Sequence, residues 1–260
     1  NAEVIRKLSE EIDAEALRIV DQMPKWNPGM QRGVPLRVQV NLPIRFKLED
    51  PPEYLMVGVD TIYVEMDDSL SFNGGHEALD TYVKSKLVYP SNYKDSCFIG
   101  NMDVKVVVNP DGIVKVLDVS DYFDLGFDFQ FEAIQASTST FGQWNIATLR
   151  GRKVPTSYDF TIEFLPTESQ CQSKLTDYEK AQEYAAQGLQ AFNDGNQEEG
   201  IEVMTKAIDL FPKNANYRYI RGQAYMALEK MEEACEDLTM VKEVLSIGLV
   251  NNLLPIICNQ

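Results

Sequence analysis

An internal repeat constrains the fold of this chain more than any other feature. When the sequence is compared with itself at a shift of 118 residues, Trp26 falls on Trp144. The same shift aligns further identical pairs: Asn27 with Asn145, Arg32 with Arg150, Gly33 with Gly151, Ile44 with Ile162, and Phe46 with Phe164. A Glu-Ala-aliphatic segment precedes each tryptophan. Both copies are therefore predicted to run helix, Trp-containing connection, Arg-Gly turn and strand.

The strand that ends each copy alternates apolar and polar residues, as a strand with one buried face does. In the first copy apolar residues occupy every second position from 38 to 48, and in the second copy they occupy Tyr158, Phe160, Ile162 and Phe164. Residues 102–108 and 113–119 are predicted to form a hairpin, because Asp111-Gly112 supplies the positive φ of a tight turn. With a helix over 75–87, the second copy runs helix, strand, strand, helix, strand.

Residues 15–46 carry a series of motifs in a fixed order. After a helix come Met-Pro-Lys-Trp-Asn-Pro-Gly at 23–29, Arg-Gly at 32–33 and Leu-Pro-Ile-Arg-Phe at 42–46. This series resembles the C-terminal half of a TonB C-terminal domain. Residues 72–165 resemble a complete and more divergent copy, in which Ile146-Ala147 stand where the family has Pro-Gly. The resemblance implies small sheet-plus-helix units, of which the first lacks its opening helix and first strand.

A second, independent signal lies in the C-terminal part. Gly188 and Gly222 are 34 residues apart, the period of tetratricopeptide repeats. Small residues at these positions, and at Ala207 and Ala234, predict close approach of paired helices. Residues 176–179 indicate a capping box at the start of the first helix. Two repeats are few for such an array, so a helix around 242–257 should cap them or they should pack on the preceding domain.

These patterns together predict an α+β chain in three parts. A partial TonB C-terminal-like unit covers 1–50, a TonB C-terminal-like domain covers 54–167, and an all-α helical domain of the tetratricopeptide-repeat type covers 173–260. Asp50-Pro51-Pro52 separates the first two, because two prolines remove two backbone donors and fix φ twice. At 165–170 strand alternation gives way to Ala-rich helical periodicity.

Charge limits the classes of partner. The chain has 24 basic and 40 acidic residues and a net charge of −16, which repels phosphate backbones and anionic lipid headgroups. Nucleic acid is therefore not an expected partner. No apolar run approaches the roughly 18 residues that span a bilayer. Since the sequence starts at Asn1 without Met or a signal segment, it is expected to be a fragment or mature form, and an anchor upstream stays open.

The cysteines give no sign of a metal site. They lie far apart, without a CxxC pair and with one histidine in the whole chain, so a zinc site is not expected. The pattern favours unpaired structural thiols, and one disulfide between distant positions stays open. The four residues are Cys97, Cys171, Cys235 and Cys258.

No arrangement for catalysis or cofactor binding stands out, so the chain is expected to be neither an enzyme nor a cofactor or metal carrier. His76 lies at a predicted helix start, with no GxSxG motif or Cys-His pairing to activate a nucleophile. Trp26 and Trp144 each precede a chain reversal and are predicted to be framework residues. An acidic stretch lacks the spacing of a calcium loop, which favours a solvated loop over weak metal binding. Its residues are Asp118, Asp121, Asp124 and Asp128.

The TonB resemblance implies a periplasmic or cell-envelope protein that binds a segment of an outer-membrane receptor by adding it to a sheet edge. Pro43 aligns with Thr161, and a proline within a strand removes one ladder donor. The final strand of the second copy is therefore the expected docking edge, and the alternative that the first copy or the helical tail already covers this edge stays open. Its expected partner-binding residues are Ser157, Asp159, Thr161 and Glu163.

The helical repeats offer a second expected site. One helix face could line a groove for a protein or peptide, and simple solvent exposure of that face is equally open. The alternative function is an envelope scaffold or assembly protein that acts through these repeats, with the TonB-like units as spacers. The residues of this face are Asn216, Tyr219, Gln223 and Met226.

Overall fold

The computed structural model describes residues 2–5, 7, 9–23, 29–31, 34–36, 41–42, 44, 53–245 and 248–258. The chain divides into two compact units, Asn1–Pro51 and Pro52–Gln260. Among the described residues it is a mixed α and β protein whose C-terminal part is helical. None of the helices in these ranges is both long and apolar enough to cross a bilayer.

The described residues of the first unit form one helix and two short strands. Helix α1 (Glu10–Asp21) begins where Ser9 Oγ accepts a hydrogen bond from Ile12 N, which confirms the predicted helix ahead of the tryptophan. Strands β1 (Gly29–Gln31) and β2 (Val34–Leu36) pair antiparallel. Trp26, Pro43 and most of the predicted strand over 38–48 lie outside the described residues.

The second unit opens with short strands around one helix and continues into longer strands. The predicted helix over 75–87, the two hairpin strands and the final strand agree with the structure to within two residues, and the short strands before and between them were not predicted. Up to residue 164 its elements are β3 (Tyr54–Val57), β4 (Asp60–Tyr63), β5 (Ser71–Phe72), α2 (Gly75–Lys86), β6 (Gly100–Val108), β7 (Val114–Asp121), α3 (Phe127–Thr138), β8 (Trp144–Asn145), β9 (Thr148–Leu149), β10 (Arg152–Lys153) and β11 (Thr156–Phe164).

Strands β6, β7 and β11 form an antiparallel sheet in the order β11-β6-β7. The predicted hairpin is confirmed, and Gly112 in its turn has a φ of +84°. Helices α2 and α3 cover the apolar face of the sheet, where Phe129 and Phe164 pack edge to face with ring centroids 5.1 Å apart. The opposite face carries most of the polar residues of the strands, and the C-terminal helices lie over part of it.

Trp144 is a framework residue, as predicted. It is buried, its ring centroid lies 5.4 Å from that of Phe72 and 5.0 Å from that of Tyr158, and its Nε1 donates to Thr140 Oγ1 at 3.1 Å. The indole therefore fills the end of the core, and its one polar atom is satisfied.

The C-terminal part consists of two helical hairpins and a final helix: α4 (Gln172–Asn193), α5 (Gln197–Leu210), α6 (Ala215–Ala227), α7 (Met231–Val244) and α8 (Gly248–Ile257). The predicted close approach is confirmed, because a Cβ added to Gly188 would lie 3.2 Å from Gly200 O. Helix α8 packs on α7 as the predicted cap. The predicted capping box is wrong: α4 begins at Gln172, and Thr176 lies inside the helix with its hydroxyl donating to Gln172 O.

The cysteines form two disulfides, so the prediction of unpaired thiols is wrong. Cys97 bonds Cys171 across 74 residues of sequence, and Cys235 bonds Cys258 across 23. The first joins the loop after α2 to the start of α4, and the second fixes α8 to α7. Sequence spacing could not show these pairs because the fold alone brings each pair of Cα atoms within 5.4 Å.

One aromatic side chain joins the sheet to the helices. Phe123, in the loop after β7, places its ring centroid 5.5 Å from that of Tyr178, 5.3 Å from that of Phe211 and 6.1 Å from that of Tyr217. The backbone of the preceding residue, Tyr122, accepts a hydrogen bond from Ala215 N at 2.9 Å. The helical repeats therefore pack on the sheet domain, which was one of the two predicted ways to complete a short array.

Candidate functional site

Hydrogen bonding in the sheet determines which residues of β11 face away from it. In an antiparallel pair the N–H and C=O of one residue point to the same side, and this side alternates along the strand. Asn109 N donates to Ile113 O at 2.9 Å across the turn, so Asn109 points its backbone N–H and C=O groups toward β7. The odd-numbered residues of β6 therefore bond to β7 through their backbone, and the even-numbered residues bond to β11. Since Val108 pairs with Thr156 in a continuous register, even-numbered residues of β11 bond to β6. The odd-numbered residues point their N–H and C=O groups away from the sheet.

These outward-facing residues include the four predicted from sequence: Ser157, Asp159, Thr161 and Glu163. Just before them, Pro155 O accepts from Tyr63 N of β4 at 2.9 Å. Beyond that contact, no strand among the described residues pairs with this side of β11. The strand has no proline in its nine residues, so all of its outward donors are retained. We name this side of β11 the free edge.

The side chains of these residues tie the strand to its surroundings. Asp159 forms an ion pair with Lys105 at 3.4 Å, and Thr161 Oγ1 donates to Asp103 Oδ1 at 2.8 Å. Glu163 Oε1 accepts from the hydroxyl of Tyr178 at 3.0 Å. Side-chain contacts therefore hold the strand in place while its outward backbone groups face no strand among the described residues.

A polar cavity of about 540 Å³ lies between the polar face of the sheet and helices α4 and α6. Its walls combine residues from strands, from the loop after β7 and from both helices. Thr161 of the free edge and Asn216 of the predicted helical face both line it. Two sites that sequence predicts separately therefore meet at one cavity.

The carboxylate of Asp103 is the charged group of this cavity wall. It accepts one hydrogen bond from Thr161 and another from the hydroxyl of Tyr122 at 2.8 Å. Burial, together with the hydrogen bond to Asp103, raises the pKa of Tyr122 to about 12. At neutral pH Tyr122 is therefore a neutral donor that orients the carboxylate.

Asn214 lines the same cavity and caps helix α6. Its Oδ1 accepts from Tyr217 N at 2.8 Å, which fixes the orientation of the amide. The side chain is 1% exposed, and its Nδ2 has no hydrogen-bond partner among the described residues. A buried donor without a partner costs about 1–3 kcal/mol.

The remaining residues of the predicted helical face do not line the cavity. Gln223 Nε2 donates to the hydroxyl of Tyr219 at 3.2 Å, and Met226 packs against the cluster formed by α7 and α8. Of the four, only Asn216 joins the cavity wall. Tyr219 packs against the same cluster, so the four residues comprise one in the cavity wall, one exposed glutamine and two in core packing.

Three residues of the cavity wall were not predicted from the sequence: Asp103, Tyr122 and Asn214. The signal for Asn214 was present, since an Asn just before a helix, shortly after Pro212, is a typical N-cap. Asp103 lies opposite Thr161 in the pairing of β6 with β11, and the hairpin register does not show this because these two strands are distant in sequence. The contact of Tyr122 with Asp103 depends on a loop conformation that periodicity does not determine.

The acidic stretch is not a simple solvated loop, which corrects that prediction at Asp121. This residue is 4% exposed and accepts from Leu125 N at 3.0 Å and Gly126 N at 2.8 Å. Asp124 forms an ion pair with Lys213 at 2.9 Å. The carboxylates therefore organise the loop that carries Phe123. His76 is exposed near the start of α2.

Comparison with known proteins finds a family match for the N-terminal part of this chain. Residues 1–48 match the family model of the Gram-negative bacterial TonB protein C-terminal, which confirms the resemblance there, while the resemblance of 72–165 stays a prediction. Among curated proteins no match is found. Among solved structures, the second tetratricopeptide repeat domain of Spaghetti (RPAP3) bound to HSP90 peptide SRMEEVD is similar, with 23% identity and a TM-score of 0.30, over 34% of this chain and 87% of that chain.

Proposed function

We propose that this chain is a protein-binding module that takes up an extended segment of a partner protein by strand addition at the free edge of β11. The observation that carries the proposal is the row of outward-facing backbone groups from Ser157 to Glu163, with no paired strand among the described residues. Such an edge is a template for a further strand, which gains main-chain hydrogen bonds, while alternate side chains give selectivity. The role is binding, with no chemical step assigned to the chain.

We place this activity in the periplasm or cell envelope. The family match of residues 1–48 supports that location, since the family is one of Gram-negative TonB proteins. The two disulfides support it as well, because disulfides persist in oxidising compartments such as the bacterial periplasm. The proposed partner is a segment of an outer-membrane receptor, and the net charge of −16 favours a neutral or basic one.

A second candidate function is an envelope scaffold that binds partners through its helical repeats. Leu189 favours it, because this apolar side chain is 44% exposed on α4. Leu189 lies seven residues after Gln182 and four residues after Ala185, both of which line the cavity. These spacings place all three residues on one face of α4. Under this alternative the helical face, rather than the free edge, contacts the partner.

Thr161→Pro is expected to weaken partner binding about tenfold or more. Proline removes the outward N–H of residue 161 and places its ring where the added strand would lie. The probe is a peptide selected on the wild-type chain from a displayed library of random dodecapeptides. Its affinity for each variant is measured by titration calorimetry.

Thr161→Val is the matched control. It keeps the backbone N–H and the β-branched shape but loses the hydroxyl that donates to Asp103, so it is expected to bind within a few-fold of wild type. Melting curves of both variants establish that the chain is folded. A folded Thr161→Pro variant with wild-type affinity would reject the free edge and favour the helical alternative.

A further inference from the structure

We infer that the polar cavity between the sheet and helices α4 and α6 is a subsite for a carboxamide side chain, that of glutamine or asparagine, on the segment added to β11. This inference rests on the proposed strand addition and specifies which side chain the added segment carries at one position. The ligand class follows from two groups in the cavity wall, a fixed donor and a fixed acceptor.

The donor is Nδ2 of Asn214. Because Oδ1 of the same amide is held by Tyr217 N at 2.8 Å, the amide cannot turn without losing the cap of α6. Nδ2 is therefore fixed as a donor on a side chain that is 1% exposed and lines the cavity. Nδ2 itself is buried, so the wall of the cavity beside Asn214 has to open by a local side-chain movement when a ligand carbonyl oxygen enters and accepts from it.

The acceptor is the carboxylate of Asp103. Tyr122 and Thr161 each donate one hydrogen bond to it, at 2.8 Å, one to each oxygen. A carboxylate has about four lone-pair sites, so Asp103 retains capacity for a further donor. The –NH₂ of a carboxamide can supply it while its carbonyl accepts from Asn214.

The free edge leads directly to this cavity. In an antiparallel pair, opposite residues place their side chains on the same face with Cβ atoms about 5 Å apart. Thr161 and Asp103 are opposite each other in neighbouring strands. A residue of the added strand opposite Thr161 therefore continues this row, and its side chain lies on the polar face. Since Thr161 and Asp103 both line the cavity, a side chain of glutamine length reaches it from the edge.

Other side chains fit less well. A carboxylate would be repelled by Asp103, and an apolar side chain would leave Nδ2 of Asn214 without a partner. Lysine or arginine could pair with Asp103 but has no acceptor to offer Asn214. A site that hydrogen-bonds its ligand through buried groups discriminates strongly against analogues that lack the matching atoms.

The test uses the full chain and peptides selected from the random dodecapeptide library. Sequencing is expected to show glutamine or asparagine enriched at one position. A peptide with glutamine there is expected to bind wild type about tenfold tighter than its methionine counterpart. On Asn214→Ser, which keeps a capping oxygen but lacks Nδ2, this ratio is expected to fall to about one. Asn214→Asp, which keeps the shape and the cap, is the second variant, and melting curves establish folding for both.

The outcomes separate this inference from the proposed function. Enrichment of lysine or arginine at that position, or an unchanged glutamine-to-methionine ratio on folded Asn214 variants, would overturn the carboxamide subsite. If Thr161→Pro abolishes binding while no amide preference exists, strand addition stands and the subsite fails. Selection of no peptide, or of peptides indifferent to Thr161→Pro, would contradict both.

Discussion

Asp237→Ala is expected to lower the free energy of unfolding by about 3–5 kcal/mol. Asp237 is 1% exposed and accepts hydrogen bonds from Arg218 Nη1 at 2.9 Å and from Arg221 Nε at 2.7 Å. The two arginines lie on α6 and the aspartate on α7, so the cluster holds the second helical hairpin together. Alanine would leave two largely buried guanidinium groups without their carboxylate.

Urea unfolding of the full chain measures this effect. Glu236→Ala is the matched control, because Glu236 is the exposed neighbour on the same helix and its loss should cost less than about 0.5 kcal/mol. A loss below about 1 kcal/mol for Asp237→Ala would show that the ion cluster is not needed to hold α6 against α7.

Phe123→Ala is expected to lower the free energy of unfolding by about 3 kcal/mol. Its ring packs among Tyr178, Phe211 and Tyr217, so its removal leaves a cavity where the loop after β7 meets α4, α5 and α6. Sheet and helices should then unfold less cooperatively, with far-ultraviolet and near-ultraviolet circular dichroism transitions that no longer coincide.

Phe127→Ala is the matched control for Phe123→Ala. Phe127 lies four residues further along, is 76% exposed and contacts Phe131 with ring centroids 6.3 Å apart. Its replacement should change stability by less than about 0.5 kcal/mol. Equal losses for the two variants would contradict the role of Phe123 in joining the sheet to the helices.

Local patterns predicted the longer elements of the second unit well, but they did not predict its short strands β3, β4, β5, β8, β9 and β10. The strand at 156–164 and the hairpin around Gly112 follow from period-two alternation and from turn chemistry, which depend on neighbouring residues alone. The spacing of Gly188 and Gly222 likewise depends on helix packing within and between adjacent hairpins. Strand alternation and turn chemistry need only a few consecutive residues, and the glycine spacing needs only two adjacent helical hairpins.

The features that sequence missed depend on distant residues. Cys97 and Cys171 become neighbours only when α4 packs beside the loop after α2. Phe123 belongs by sequence to the sheet domain, yet its ring packs with helical residues. Within the candidate site, the edge residues were predicted, but the cavity was not, because Asp103 and Asn214 come from different parts of the fold.

Backbone amide exchange in the full chain tests strand addition most directly. It is measured by nuclear magnetic resonance with and without a selected peptide at saturation. We expect strand addition to slow exchange at Asp159, Thr161 and Glu163, whose N–H groups face outward, while Phe160 and Ile162, already bonded to β6, change little. Saturation with peptide that leaves the exchange of Asp159, Thr161 and Glu163 unchanged would contradict it.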